Sequence, residues 1–296
     1  MTGLLLVDKP AGLTSHDVVD RIRRAAGIRR VGHTGTLDPG ATGLLILCLG
    51  HATRLSEHLT GLDKTYEGVM RLGIISDSYD RDGTILEERP VPPLTPAEIQ
   101  AACDGFTGTI EQVPPMVSAV KVGGERLYKK ARKGEVVERK ARQVTVHEFA
   151  ALAYEEPDVR LRVSCSSGTY VRSLCHEVGQ ILGCGAILAA LRRTLVGRHS
   201  VDNALPVGQL SNQDAVKEHL VPMEDALDLP AIVVRPSSRS VVAAGGGLVD
   251  ADLETPCPVR SGWVQIKSDR GRLLALGTVQ ATAMGARIHP KRVFTR

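Results

Sequence analysis

The sequence predicts an α+β fold, a mixed sheet core flanked by helices and followed by a small β-rich C-terminal domain. Three observations carry that prediction. Strand-like and helix-like segments alternate along the 296 residues without a regular βαβ repeat. The last segment, residues 230–296, holds four strand-like pieces separated by glycine turns. Finally, 43% of residues are hydrophobic and 24% charged, an ordinary balance for a packed chain of this size.

The elements follow in order. Gly3–Val7 reads as a short buried strand, ended by Asp8-Lys9-Pro10-Ala11-Gly12. Ser15 is the expected cap of a helix with apolar positions Val18, Val19, Ile22 and Ala26, and Gly27 ends it. A glycine-rich loop, Gly32–Gly43, leads into the apolar run Leu44–Leu49, read as a buried strand. Lys64–Ile75 is expected to be a strand and Ser76–Gly83 an acidic loop. Thr95-Pro96-Ala97-Glu98 is a capping box that starts a helix running to about Cys103. Ser118–Val122 and Gln143–Phe149 read as strands. Asp158–Cys165 alternates apolar and polar residues, and a helix is expected from Tyr170 to Leu182 after Gly168. A boundary near Leu229–Pro230 separates residues 1–229 from a β-rich module over 230–296, with strands expected at Ile232–Val234, Trp263–Lys267, Leu273–Val279 and Arg287–Phe294.

Charge is unevenly spread. The total is +4, yet Lys121 to Arg142 holds nine Lys/Arg against three Glu, a local +6 that leaves −2 for the remainder. A focused positive patch suits a polyanionic partner, although a solvated face explains charge alone equally well. The six cysteines form no CxxC pair and no zinc-spaced set with histidine, so free thiols are expected. No run of about 18 apolar residues is present, and no membrane span is expected.

Three local patterns could carry chemistry. The loop Gly32-His33-Thr34-Gly35-Thr36-Leu37-Asp38-Pro39-Gly40 lacks both the Gly-Lys-Ser/Thr ending and the GxGxxG spacing of nucleotide loops. It can present His33 and Asp38 to a ligand, or Asp-Pro-Gly can be a plain turn. Tyr66 lies on an expected strand, where core packing competes with a stacking role. Arg172, opening a helix after Tyr170, could hold a carboxylate or simply face solvent.

Taken as an ordered set, the motifs are specific. Asp8-Lys9-Pro10, Gly32–Pro39, Ala41-Thr42-Gly43 and Lys64-Thr65-Tyr66 come first. Pro114-Pro115, Ser118-Ala119-Val120-Lys121 and Gly124…Tyr128…Ala131-Arg132 follow, then Ser167-Gly168-Thr169-Tyr170-Val171-Arg172 and Leu191-Arg192-Arg193-Thr194. In this order they resemble the TruB-type tRNA pseudouridine-55 synthases over most of residues 3–195. Ser76-Asp77-Ser78 stands where that family usually has Thr-Asp-Thr, and Val117 where an aromatic is common. The tail is similar to a PUA-like RNA-binding module.

The resemblance implies an isomerase that turns the T-loop uridine of tRNA into pseudouridine after flipping it out of its stack. It implies catalytic roles for Asp38 as nucleophile, Arg172 as its ion-pair partner, and Tyr66 as the stacking residue and a candidate base. It places His33, Tyr170, Leu191 and Lys9 in substrate binding. The basic residues Lys121, Arg126, Lys129, Lys130, Arg132, Lys133 and Arg142, with the arginines of the first helix, are expected to grip RNA phosphates. The implied protein is cytoplasmic and monomeric, with tRNA as partner and neither cofactor nor metal. A tRNA-binding chaperone would share the basic patch without needing Asp38. A hydrolase built on His33 and Asp38 is disfavoured because no further ligand set accompanies them.

Overall fold

A computed structural model of the chain describes residues 1–116, 121–122, 125–126, 137–283 and 285–294. Of the expected strand Ser118–Val122, only Lys121–Val122 falls among these, paired with Glu125–Arg126. Val117 lies outside them, as do Lys129, Lys130, Arg132 and Lys133 and the side chains of Lys121 and Arg126.

The core is one mixed sheet of eleven strands among the described residues. Its main path runs Leu205–Pro206, Gly3–Lys9, Thr42–Leu49, Ala186–Val196, Lys64–Leu72, Asp158–Cys165, Arg142–Glu155 and Gly108–Gln112. The central Thr42–Leu49 strand is buried on both faces, which explains its unbroken apolar run. Leu44, Ile46 and Cys48 pack into one cluster. Leu45, Leu47 and Leu49 pack into another, against Val18, Val19, Ile22 and Ala26 of the Ser15–Ala26 helix. Each buried valine, leucine or isoleucine among them contributes roughly 1.5–3 kcal/mol by leaving water. The opposite half of the sheet, with Met70, Val159, Leu161 and Val163, is covered by Leu174, Cys175 and Val178 of the Val171–Ile181 helix.

Local chemistry sets the element ends. The first helix is capped by Thr14, not by the expected Ser15. Thr14 accepts from the Asp17 amide and Asp17 answers through the Thr14 amide, a capping box. Ser15 is instead occupied tertiarily, as described below. Gly27 closes the helix in the left-handed conformation (φ 64°), as expected. The strand expected over Lys64–Ile75 stops at Leu72, because Gly73 turns the chain at φ 86°. The expected capping box at Thr95 is present, and its helix spans Pro96–Asp104. The Gln143–Phe149 prediction falls inside a longer strand, Arg142–Glu155, while Asp158–Cys165 forms as expected with its apolar residues buried.

A second sheet of five strands is formed by Ala231–Val233, Ser261–Lys267, Leu273–Thr282, Gly285–Val293 and Leu248–Val249, in that order. It carries its own core of Ile232, Val234, Val264, Ile266 and Ile288. Leu273, Leu276 and Phe294 instead join Leu4, Leu55 and Leu59 of the large sheet's cluster. Arg292–Glu57 (3.0 Å) and an edge-on His58–Trp263 contact add polar and aromatic links between the two parts. No described helix is long and apolar enough to cross a membrane.

Candidate active site

The Asp38 loop is a turn fastened at several points. The Asp38 carbonyl accepts from the Ala41 amide (3.1 Å), so Asp38-Pro39-Gly40-Ala41 is the β-turn that its sequence permits, with proline second. One residue earlier, buried Leu37 exchanges two hydrogen bonds with the Ser15 hydroxyl (2.9 and 3.0 Å). One residue later, the Pro39 carbonyl accepts from the Gly12 amide (2.9 Å) and from the Lys9 ammonium (3.3 Å). Anchors on both sides leave Asp38 itself projecting, with its side chain 54% exposed.

Arg172 reaches Asp38 from the first turn of the Val171–Ile181 helix. Its side chain is 6% exposed, and one guanidinium nitrogen stands 3.3 Å from an Asp38 oxygen. Its other terminal nitrogen bonds Asp80 at 2.6 Å. Asp80 is held in turn by the Ser78 hydroxyl (2.6 Å) and the Asp82 amide (3.2 Å), both on the oxygen that does not face Arg172. A buried guanidinium thus bridges an enclosed carboxylate and an accessible one. Burying such a cation is costly unless its donors are used, and two carboxylates use them.

Tyr66 lies on the Lys64–Leu72 strand and packs against both halves of the core, as does Leu191 on the adjoining Ala186–Val196 strand. Burial pushes the Tyr66 phenol above its usual range, while the positive charge of Arg193 pulls the other way. The ring is therefore protonated at neutral pH. Arg193, almost fully buried, donates to the Leu44 carbonyl (2.8 Å) and to the Gly35 carbonyl (3.1 Å), tying the active loop to the central sheet. Gly43 pairs with Arg193, and a Cβ there would sit 2.8 Å from the Arg193 nitrogen.

Other sequence-predicted residues sit at varying distances from this centre. His33 ends the Val31–His33 strand, five residues before Asp38, and its Nδ1 accepts from the Gly35 amide at 3.4 Å. Tyr170 precedes the helix, with its main chain clamped by both ends of the Gln112 amide (2.7 and 3.1 Å) and its ring 5.8 Å from the Arg172 guanidinium carbon. Lys9 lies beneath the loop, fully buried, its ammonium donating to the carbonyls of Pro10, Leu13 and Pro39. Desolvation pulls its pKa down to about 8 against the opposing pull of Asp38. Its placement is that of an anchor for the loop. In the first helix, Arg23 is engaged with Asp20 and the Val31 carbonyl, whereas Arg21 and Arg24 are exposed, as is Arg142 on its strand.

Sequence reasoning missed Asp80 and the main-chain role of Arg193. The Asp80 signal was present in the Ser78-Tyr79-Asp80-Arg81-Asp82-Gly83 stretch, an acidic turn with a hydroxyl two residues before the carboxylate. Among the described residues, no group of His, Cys, Asp and Glu is arranged to hold a metal. Five of the six cysteines are buried and all are free.

The ordered motifs thus bring an exposed carboxylate onto a buried arginine, with Tyr66 close enough to sense the Asp38 charge. The model of the TruB family pseudouridylate synthase N-terminal domain matches residues 23–171, and that of the tRNA pseudouridylate synthase B C-terminal domain matches 172–228. The chain belongs to the TruB family of pseudouridine synthases. A protein named tRNA pseudouridine synthase B from Opitutus terrae is 49% identical over 79% of this chain and 97% of its own length. One of the same name from Coxiella burnetii is 38% identical over 99% of this chain and 95% of its own length. Among solved structures, an H/ACA RNP bound to a substrate RNA containing 2′-deoxyuridine matches with a TM-score of 0.77 and 26% identity, covering 99% of this chain and 85% of that one. An archaeal box H/ACA sRNP Nop10–Cbf5 complex matches with a TM-score of 0.74 and 27% identity, covering 99% and 86%. As a TruB-family member the chain is an isomerase that forms pseudouridine, on an α+β scaffold with a β-rich C-terminal domain.

Proposed function

We propose that this TruB-family enzyme isomerises the T-loop uridine, position 55, of tRNA, with Asp38 as the nucleophile. The observation that carries the reading is the exposed Asp38 carboxylate held at 3.3 Å by buried Arg172. The names of the relatives, tRNA pseudouridine synthase B, supply the substrate class.

The reaction breaks the N1–C1′ bond, makes a C5–C1′ bond and moves one proton from C5 to N1, with no change of redox state. A carboxylate suffices, because it bonds transiently to the nucleoside, at the sugar C1′ or the base C6, and leaves again. The target base is everted into the site at a cost of a few kcal/mol, offset by pocket contacts. Tyr66 offers the uracil its ring face, with Tyr170 and Leu191 at the pocket walls and His33 on the side of the vacated stack. Exposed Arg21, Arg24 and Arg142, with the basic residues 121–133, bind backbone phosphates of the T-arm. Residues 230–296 form an RNA-binding module of the PUA-like kind that extends this surface. No metal or second protomer enters the reaction.

The decisive experiment incubates unmodified tRNA with the protein and chelator, then maps pseudouridine by selective chemical labelling. The expected product is pseudouridine at the T-loop uridine alone, made by a species of 31.7 kDa. Label at another stem or loop would replace the substrate assignment. Loss of activity with chelator would overturn the metal-free reading. Affinity for the RNA should also fall by tenfold or more, roughly, between 50 and 200 mM salt.

A further inference from the structure

We infer that Tyr79 and His176 form a clamp that positions Asp80, and through it Arg172, for the reaction at Asp38; the inference rests on the roles proposed above for those two residues. Tyr79 is the one non-glycine residue with positive φ among the described residues (φ 65°). A bulky aromatic seldom adopts that conformation, and persists in it only where surrounding contacts over-determine it. The contacts here are visible. Its ring stacks nearly parallel on His176, with centroids 3.9 Å apart and planes 17° apart. Its carbonyl accepts from the Leu188 amide (2.9 Å), and the Leu188 carbonyl accepts from the Arg81 amide (3.2 Å).

The spacing gives the stack its purpose. His176 lies four residues after Arg172, one turn further along the same face of the Val171–Ile181 helix. Asp80 directly follows Tyr79. The loop therefore meets the helix at two successive points, Tyr79 on His176 and Asp80 on Arg172 at 2.6 Å. The Leu188 bonds hold the main chain of the loop, and the stack adds a side-chain contact beside the ion pair that sets Asp80 on Arg172. His176 serves as a flat surface: its Nδ1 is buried without a hydrogen-bond partner, and burial lowers its pKa, which keeps the ring neutral at pH 7. Tyr79 and His176 are thus positioning residues, acting on the reacting groups through Asp80 and Arg172.

The test measures single-turnover pseudouridine formation and RNA affinity for Tyr79→Gly, His176→Ala, the double variant, Tyr79→Phe and His176→Phe. Glycine accepts the backbone conformation freely, so Tyr79→Gly removes the stack without straining the chain. Each stack-deleting single variant should slow the chemical step by about tenfold with RNA affinity kept within about twofold. The double variant should be no slower than the slower single variant. The two phenylalanine variants should recover most of the rate. Unchanged rates in the single variants, multiplying losses in the double, or phenylalanine variants as slow as the deletions would overturn the clamp. Wild-type protein and Asp38→Asn run alongside: equal activity in those two would sink the reading of Asp38 without touching the clamp. A crystal structure of Tyr79→Gly judges the clamp independently. Asp80 should withdraw from Arg172 beyond about 3.5 Å; an unchanged contact overturns the inference.

Discussion

Two arginine–aspartate pairs in this molecule are built in opposite ways. Arg192 and Asp8 join neighbouring parts of the sheet through a two-pronged contact, 2.9 and 3.0 Å, using both carboxylate oxygens. Both residues are partly exposed, and each satisfies the other. Arg172 is nearly enclosed, yet stands 3.3 Å from Asp38 and directs its shorter bond at Asp80. The first geometry saturates a carboxylate; the second orients one and leaves it open to a ligand. Burial of the guanidinium combined with exposure of its partner, more than the presence of an ion pair, is what sets the Asp38 pair apart from the Asp8 pair.

That contrast can be broken in several places. The largest effect is expected from Arg172→Lys, because a lysine point charge cannot bridge Asp38 and Asp80 at once. Single-turnover rates on tRNA should fall about a hundredfold with little change in RNA affinity. A tenfold weakening of affinity with an unchanged rate would instead assign Arg172 to binding. Next comes Gly43→Ala, which forces a Cβ against the Arg193 main chain at a residue with φ 98°. Thermal or denaturant unfolding should show a loss of about 2–4 kcal/mol.

A smaller effect concerns pH. Lys9 titrates near 8 in the folded protein, well below the ordinary lysine value of 10.5. Between those values the unfolded chain binds the extra proton, so the contribution of Lys9 to stability rises with pH across that window. The neutral amine can donate only two hydrogen bonds to its three carbonyls, so the active loop slackens over the same range. Activity should therefore fall a few-fold, roughly, as pH rises through 8 while stability gains, and Lys9→Met should abolish this divergence. Parallel pH profiles of turnover and unfolding would check it. The smallest effect belongs to the saturated pair: Asp8→Asn should cost at most about 1 kcal/mol of stability and leave turnover within about twofold. A large catalytic loss there would erase the contrast.

Much of this scaffold was legible in the sequence because the signals are local. The alternation of Asp158–Cys165, the Thr95–Glu98 capping box and the apolar run after Gly43 each report a period or a cap within a few residues. The Ser15 assignment failed because two hydroxyl residues are adjacent and only tertiary structure decides between them. Leu37, 22 residues away, takes Ser15, which leaves Thr14 to cap. The central Ala186–Val196 strand was known only as the motif around Leu191, since Arg192 and Arg193 interrupt its apolar pattern. Both arginines are explained by partners far off in sequence, Asp8 and the loop carbonyls. Asp80 escaped for the same reason, 92 residues before the arginine it holds. Asp38, Arg172 and Tyr66 were singled out through ordered motifs, and the fold brings the first two into an ion pair.

On the function proposed above, Asp38 performs the chemistry and does not merely belong to an RNA-binding surface. The most direct measurement compares wild type and Asp38→Asn, a substitution that keeps the side-chain shape, for T-arm RNA affinity and for single-turnover pseudouridine yield. Affinity should stay within a few-fold while the product disappears, a rate loss of at least about a thousandfold. Pseudouridine formed by Asp38→Asn at a rate near that of wild type would remove Asp38 from the chemistry.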